Sequence, residues 1–314
     1  MSQSLFRQNI KAIMIALTAW FCFSLTDAFT KTLTGEYPAV QLIGMSALTG
    51  MILSAGLIFF RHGWRGFLTP NWKLFVIRGL LVIVVSYMVV TALSMITLAD
   101  FYGIVFMTPF LVTIMSVLFL KEKIGIHRII ALIAGFIGVI VLAGPRMDSI
   151  PMGLAYAFIG MVGGSVVTII IRKIGREPVS ELFAFVPCTA NALVYVPLML
   201  MPGNFHVPEN PWMLTELLAL GLTAFMGFLC FSIGFTRATE TAVVAPFHYS
   251  QMIWGVLFGY LLFGDVPALT TIIGSLIILV AGLYMLWREY VHHKTSHSIS
   301  TTVSASGAAA LPEA

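Results

Sequence analysis

The sequence has little charge. Only 10% of its 314 residues are Asp, Glu, Lys or Arg, whereas 59% are hydrophobic, and the mean hydropathy is +0.98. A soluble domain carries about 25% charged residues, so this chain has too few to cover a surface that faces water. This composition excludes a soluble enzyme, a nucleic-acid-binding protein and a disordered chain. It predicts a membrane protein whose surroundings are the lipid bilayer and which binds no nucleic acid.

Cysteine and sequence motifs of catalysis are also scarce. The three cysteines, Cys22, Cys188 and Cys230, all lie in apolar runs without CxxC spacing, so we expect packing residues and no disulfide framework. The sequence contains no P-loop, no HExxH and no GxSxG. We therefore expect no direct drive by ATP, no bound metal, no cofactor and no enzymatic activity.

Long apolar runs fill most of the chain. A transmembrane helix needs about 20 mostly apolar residues, and the unbroken runs lack the alternation typical of a β-barrel. The sequence predicts an all-α, polytopic fold with ten transmembrane helices. The predicted spans are Ile10–Thr30, Ala39–Phe60, Leu74–Leu93, Asp100–Leu120, Ile129–Gly144, Met152–Ile171, Leu182–Met201, Trp212–Phe235, Thr241–Phe263 and Ala268–Trp287.

The positions of the basic residues predict the orientation. If the amino terminus is cytoplasmic, only Lys31 and Arg146 of the 17 Lys and Arg fall on the outer side. Cytoplasmic loops carry an excess of Lys and Arg, so we expect both termini inside a cell inner (plasma) membrane. No small-residue cleavage site follows the first apolar run, which predicts that this span is retained. The polar residues 289–314 predict a disordered cytoplasmic tail.

The two halves of the sequence share a pattern. In Thr108–Gly144 and again in Ser250–Met285, an aromatic-bearing span ends at an acidic residue, Glu122 or Asp265, before a short turn and a glycine-bearing apolar span. Because each half would hold five spans, the halves would sit in opposite orientations, an arrangement typical of secondary transporters. The predicted repeats are residues 10–144 and 152–288.

Three stretches resemble a known family. They are FSLTDAFTKTLTGEYPAVQ (Phe23–Gln41), the segment Arg78–Arg146, and APFHYSQMIWGVLFGYLLFGD (Ala245–Asp265). In these residues the sequence resembles the EamA family of the drug/metabolite transporter superfamily. The resemblance implies ten helices in two inverted repeats and transport of amino acids, nucleotide-like metabolites, vitamins or drugs. Two positions depart from the family pattern: Met45 replaces a common Arg, and Met252 replaces a common Pro.

Charged groups within a span are costly and mark functional positions. Asp27 and Lys31 stand four residues apart, so they share a helix face and can pair. One interpretation places both on the wall of a solute cavity. The alternative is an interfacial pair in which Lys31 extends outward to the membrane surface.

A second group of candidates lies in the ninth span, where His248, Gln251 and Trp254 share one face. His248 either contacts the solute or is hydrogen-bonded between helices. A free histidine has a pKa of about 6.5, so His248 and Asp27 are both candidates to carry a coupling proton.

Aromatic and amide side chains elsewhere are further candidate solute contacts, although aromatic residues in spans also serve packing and the interfacial belt. These candidates are Tyr87, Tyr102, Phe106, Tyr156 and Asn191. Near the ends of spans, Asp100 is expected to cap the fourth helix, and Arg78 is expected to anchor the third at the membrane surface.

Three classes of function remain: a secondary transporter, a membrane-embedded enzyme, and a channel or assembly subunit. The enzyme would need paired acidic residues or a phosphate-binding loop at one membrane face, and the sequence has neither. The sequence favours a transporter that moves a small organic metabolite or drug by alternating access, with or without proton coupling. We expect a monomer or a homodimer.

Overall fold

The structure is a computed structural model in which helices follow one another through short loops. It describes residues 3–108, 110–112, 114–115, 126–143, 152–175, 177–208, 211–237, 247–248, 250–266, 268–284 and 287. Within these ranges every regular element is helical and no strand occurs, so the predicted all-α class is confirmed. Glu122 and the predicted tail 289–314 lie outside the described residues.

The helices of the described chain are named here in order. They are α1 (Gln3–Leu33), α2 (Ala39–His62), α3 (Trp72–Met95), α4 (Leu98–Val105), α5 (Ile126–Ala143), α6 (Met152–Ile174), α7 (Leu182–Met199), α8 (Pro211–Arg237), α9 (Ser250–Phe263) and α10 (Leu269–Tyr284). A short 3₁₀ helix, Gly63–Phe67, follows α2. Each helix overlaps one of the predicted spans.

Six of the described helices are long and apolar enough to cross a bilayer. They are α1, α2, α3, α6, α7 and α8. The apolar helices α4, α5, α9 and α10 are shorter in the part of the chain that the structure describes. They lie where the other four spans are predicted, and the count of ten spans stays a prediction.

The outer surface of the helices is apolar. Phe60 is 87% exposed and Leu193 is 72% exposed, and large aliphatic side chains on α5, α9 and α10 are exposed as well. A soluble protein does not carry so much contiguous apolar surface. These side chains form a surface suited to lipid tails.

The two halves of the chain interleave rather than lie side by side. The most extensive packing joins α1 to α8, α2 to α7 and α3 to α6. Each of these pairs combines a helix from before residue 144 with a helix from after residue 151. Further packing joins α2 to α8, α3 to α7, α1 to α9, α4 to α6, and α4 to α9.

The start of α4 is fixed by a reciprocal cap. Thr97 is the N-cap residue, and its hydroxyl accepts a hydrogen bond from the Asp100 backbone N–H at 3.1 Å. The same hydroxyl donates to Asp100 Oδ2 at 2.9 Å. The expectation that Asp100 itself caps the helix was therefore wrong. Thr97 is the capping residue and Asp100 is its partner three residues later, as in a capping box.

Arg78 does not anchor α3 at the membrane surface. Its side chain is only 1% exposed, its guanidinium donates to the Phe183 carbonyl at 2.8 Å, and it lies 5.7 Å from the centroid of the Phe183 ring. The expectation of a surface anchor was wrong because α7 begins beside this part of α3 and covers the side chain. Arg78 instead ties α3 to the start of α7.

Candidate solute site among helices α1, α4 and α9

A polar and aromatic stripe runs along one face of α1. Trp20, Ser24, Asp27 and Lys31 follow the i, i+4, i+7, i+11 spacing that places side chains on one side of a helix. Trp20 and Ser24 are buried, whereas Asp27 and Lys31 are half-buried. This stripe faces α4 and α9, and it organises the site.

The Asp27 carboxylate is held from two other helices. The Tyr102 hydroxyl of α4 donates to Asp27 Oδ2 at 2.7 Å, and the Gln251 side-chain amide of α9 donates to the same oxygen at 3.4 Å. The Ser24 hydroxyl, one turn away on α1, donates to the Gln251 backbone carbonyl at 3.2 Å. Three helices from both halves of the chain therefore converge on one carboxylate.

Asp27 keeps accessible surface, although both of its partners are almost fully covered. Tyr102 is 1% exposed and Gln251 is 6% exposed, whereas Asp27 is only half-buried. A carboxylate in the hydrocarbon region of a bilayer needs polar partners or water. Asp27 therefore lies where α1, α4 and α9 meet, and it keeps some exposed surface beside its two donors.

The site lies near the end of α1 and the start of α4. Asp27 precedes the end of α1 at Leu33 by six residues, and Tyr102 follows the start of α4 at Leu98 by four residues. At about 1.5 Å per residue these distances are roughly 9 Å and 6 Å. The carboxylate therefore lies one to two helical turns from the ends of both helices.

Aromatic rings cover the deeper end of the site. The ring of His248 stacks on Trp20 at 4.1 Å between centroids with an interplanar angle of 14°, and it meets Phe106 edge-on at 6.3 Å. Phe106 in turn lies 6.1 Å from the Tyr102 ring. The aromatic wall therefore connects His248 to the tyrosine that holds Asp27.

Trp254 of α9 packs against α1. Its ring meets Phe21 of α1 edge-on at 5.0 Å. Of the candidates predicted from the sequence, the structure brings Asp27, Tyr102, Phe106, His248 and Gln251 into one cluster. Their role in solute binding stays a prediction.

Lys31 turns away from Asp27. Its ammonium donates to the Ile96 backbone carbonyl at 2.8 Å and lies 5.4 Å from the centroid of the Phe263 ring. The acidic groups whose charges act on it are Asp265 and Asp100. The predicted partnership of Lys31 with Asp27 is not formed. Lys31 instead joins the end of α1 to the turn before α4 and to the end of α9.

The remaining predicted candidates are not connected to Asp27 by any contact of the described residues. The Asn191 amide donates to the Ser86 hydroxyl at 2.8 Å and joins α7 to α3. Tyr156 packs beside the apolar core around α4, and Tyr87 is 38% exposed on α3. Tyr87 and Tyr156 lie on α3 and α6, which pack against α4, whereas Asn191 lies on α7, which packs against α2 and α3. The solute contacts of all three stay predictions.

Two parts of the site were missed from the sequence. The Trp20 ring stacks on the His248 ring, and the Ser24 hydroxyl donates to the Gln251 backbone carbonyl. The signal that would have found them is their spacing from Asp27, since both lie on the same face of α1. Within the described ranges, no three His, Cys, Asp or Glu side chains come together as a metal site would require.

The comparison with sequence families decides the class of this molecule. The sequence model of the EamA-like transporter family matches residues 10–144 and 151–287. The chain belongs to the EamA-like transporter family. It is therefore an integral, polytopic helical membrane protein and a transporter, and the resemblance seen in its sequence is confirmed.

Several named relatives cover nearly the whole chain. The pseudopaline exporter CntI of Pseudomonas aeruginosa is 26% identical over 278 residues, which are 86% of this chain and 93% of the relative. An S-adenosylmethionine uptake transporter of Rickettsia felis is 24% identical over 278 residues, 86% of this chain and 92% of the relative. The names of these relatives indicate transport of small molecules.

A solved crystal structure has the same fold. It is 20% identical in sequence and superimposes with a TM-score of 0.65, covering 87% of this chain and 96% of that chain. This likeness concerns the fold alone.

Proposed function

We propose that the protein is a secondary transporter that moves a small organic metabolite across the inner (plasma) membrane by alternating access, with both termini in the cytoplasm. The observation that carries the proposal is the half-buried Asp27 carboxylate, held by Tyr102 of α4 and Gln251 of α9. Because the three helices come from both halves of the chain, a relative movement of the halves changes the site.

The packing supports an inverted two-fold repeat over residues 10–144 and 152–288. If α1–α5 are exchanged in order with α6–α10, three packed pairs of helices become other packed pairs. The pair α1–α8 becomes α6–α3, the pair α2–α8 becomes α7–α3, and the pair α1–α9 becomes α6–α4. The pairs α2–α7 and α4–α9 map onto themselves. Two five-helix repeats related by a two-fold axis produce this pattern, which favours ten spans. Because five spans per repeat is an odd number, the two repeats would have opposite orientations.

The relatives support an organic metabolite as the solute. One is named as an exporter of pseudopaline and another as an uptake transporter of S-adenosylmethionine. An inverted repeat can expose one central site to either side of the membrane, so the same architecture serves both directions.

We further propose that Asp27 is the group that couples transport to protons, with His248 as its second candidate. A carboxylate that binds a proton in one half of the cycle and the solute in the other exchanges the two across the membrane. Acidifying the side from which the solute binds is then expected to weaken solute uptake by wild-type protein.

The test uses purified protein in liposomes and a metabolite mixture, with mass spectrometry of the lumen. We expect saturable accumulation of specific solutes that responds to a pH gradient. Asp27→Asn keeps the shape of the side chain and an oxygen for Tyr102, but it is expected to reduce accumulation at least tenfold and to abolish the pH response. His248→Ala is compared in parallel.

Glu36→Gln is the matched control, because it removes an acidic side chain that is exposed after α1. We expect this variant to transport like wild type. Undiminished flux in both Asp27→Asn and His248→Ala contradicts the site, and an absence of solute-specific flux in wild type contradicts the transporter itself.

A further inference from the structure

The negative charge of Asp27 has no cationic partner in the described part of the chain. Its two side-chain contacts, the Tyr102 hydroxyl and the Gln251 amide, are neutral donors. The ammonium of Lys31, the nearest basic residue on α1, donates to the Ile96 carbonyl. The ion pairs found among the described residues involve Glu181 and not Asp27.

An uncompensated carboxylate in a membrane interior is costly, and such groups pair with a cation wherever one is available. The two donors orient the Asp27 carboxylate but do not cancel its charge. Both donors bind the same oxygen, Oδ2. Among the described residues nothing donates a hydrogen bond to the other oxygen, Oδ1, so a ligand can bind there. The chemistry that completes this half of the site is a positively charged group.

The surroundings of the carboxylate are aromatic. Tyr102 comes from α4, Phe106 follows the end of α4, and His248 lies in the segment leading into α9. Trp20, on which His248 stacks, stands two turns from Asp27 on α1. Ring faces attract organic cations and also accept flat apolar groups. Two turns correspond to about 10 Å along the helix, the length of a compact metabolite.

We infer that the solute is an organic cation, with a protonated amine or a similar group paired to Asp27 and an aromatic or apolar body lying toward Trp20 and His248. This inference rests on the proposed function, since it describes the solute of that site. A purely anionic solute would meet like charge at Asp27, and a neutral solute would leave the carboxylate uncompensated.

The test is ligand binding by purified full-length protein in detergent, measured as thermal stabilisation and by isothermal titration. The probes are matched triplets that differ only in charge. The first is tryptamine, tryptophol and indole-3-acetate, and the second is 2-phenylethylamine, 2-phenylethanol and phenylacetate. We expect both amines to bind at least tenfold more tightly than the matched alcohol or carboxylate.

Three variants separate charge from structure. Asp27→Asn is expected to weaken amine binding at least tenfold and to erase the preference over the alcohol, whereas Asp27→Glu keeps the charge and restores a preference for the amine. Glu36→Gln, an exposed acidic residue outside the site, is expected to bind like wild type. Unliganded melting temperatures of all variants show that each is folded.

Equal or tighter binding of the alcohols or carboxylates overturns the inference. So does a failure of both amines to bind, or amine binding that survives Asp27→Asn unchanged. Failure of this inference can be distinguished from failure of the proposed function. If liposomes show solute-specific flux of an anionic or neutral solute, the transport function stands and the cationic solute is wrong. If amines bind but no solute-specific flux occurs, the cationic ligand stands and the transport function is wrong.

Discussion

The ammonium of Lys31 and the carbonyl of Ile96 are joined by a 2.8 Å hydrogen bond that links the end of α1 to the turn before α4. Lys31 stands one helical turn beyond Asp27 on the same face, so an ion pair between them was available. The chain instead directs the cation to the membrane-surface end of the site. This choice leaves Asp27 without Lys31 as an ion-pair partner and joins the end of α1 to the neighbouring helices.

Lys31→Met tests this link. The variant removes a charged hydrogen bond to a carbonyl, and we expect a loss of about 1 kcal/mol for this half-buried group, measured as a lower melting temperature in detergent. Lys31→Arg, which keeps a donor, is expected to lose less. Amine binding at Asp27 is expected to persist in Lys31→Met. A tenfold loss of that binding would show that the two charges act together.

Tyr102→Phe removes the donor that holds Asp27 while keeping the ring in place. A hydrogen bond to a charged group contributes about 1–2 kcal/mol in such a setting. We expect lower thermal stability and a raised KM for the transported solute, because the carboxylate loses its orientation. Tyr195→Phe is a suitable comparison, since the Tyr195 hydroxyl donates to the Ile83 carbonyl between α7 and α3. If both variants change KM alike, orientation of Asp27 is not the cause.

Gly255→Ala tests the close approach of α9 to α4. A Cβ at this position would overlap the ring of Tyr102, so the two helices must separate. Overpacking of this kind costs about 1–3 kcal/mol, and we expect a clear drop in melting temperature together with loss of transport. At Gly164 a Cβ would meet nothing within 4 Å. Gly164→Ala is therefore expected to be neutral or slightly stabilising, and a comparable loss there would contradict the steric argument.

Asn191→Ala tests a candidate that the structure places at a helix interface. Its amide donates to the Ser86 hydroxyl, and a membrane hydrogen bond of this type contributes about 0.6 kcal/mol on average. We expect slightly lower stability and an unchanged preference for amines over alcohols in the binding assay. Loss of that preference would move Asn191 into the solute site.

The helical class and several residues of the candidate site could be predicted from the sequence because two simple signals indicate them. Apolar run length fixes the helices, and the rarity of charge inside a span draws attention to Asp27. His248, Gln251 and Trp254 followed from a shared helix face. The convergence of these two segments on Tyr102 could not be derived, because it depends on which helices pack together.

The errors have a common physical origin. The sequence places Lys31 within reach of Asp27, but side-chain length allows it to reach the Ile96 carbonyl as well, and tertiary structure selects between them. Arg78 resembles a surface anchor until α7 covers it. Asp100 has the residue type of a cap, yet Thr97 lies at the position where helical geometry begins. In each case a long-range or register-dependent contact decides the outcome.

The interleaving of the two halves has a consequence for how this molecule is made. The principal neighbours of α1, α2 and α3 are α8, α7 and α6, all synthesised after the first half has entered the bilayer. The first five helices therefore lack their principal packing partners until the later helices enter the membrane. A fragment that ended after the first five helices would lack these packing partners. If the two halves were made as separate fragments, they would have to associate in the membrane before either acquired a stable structure.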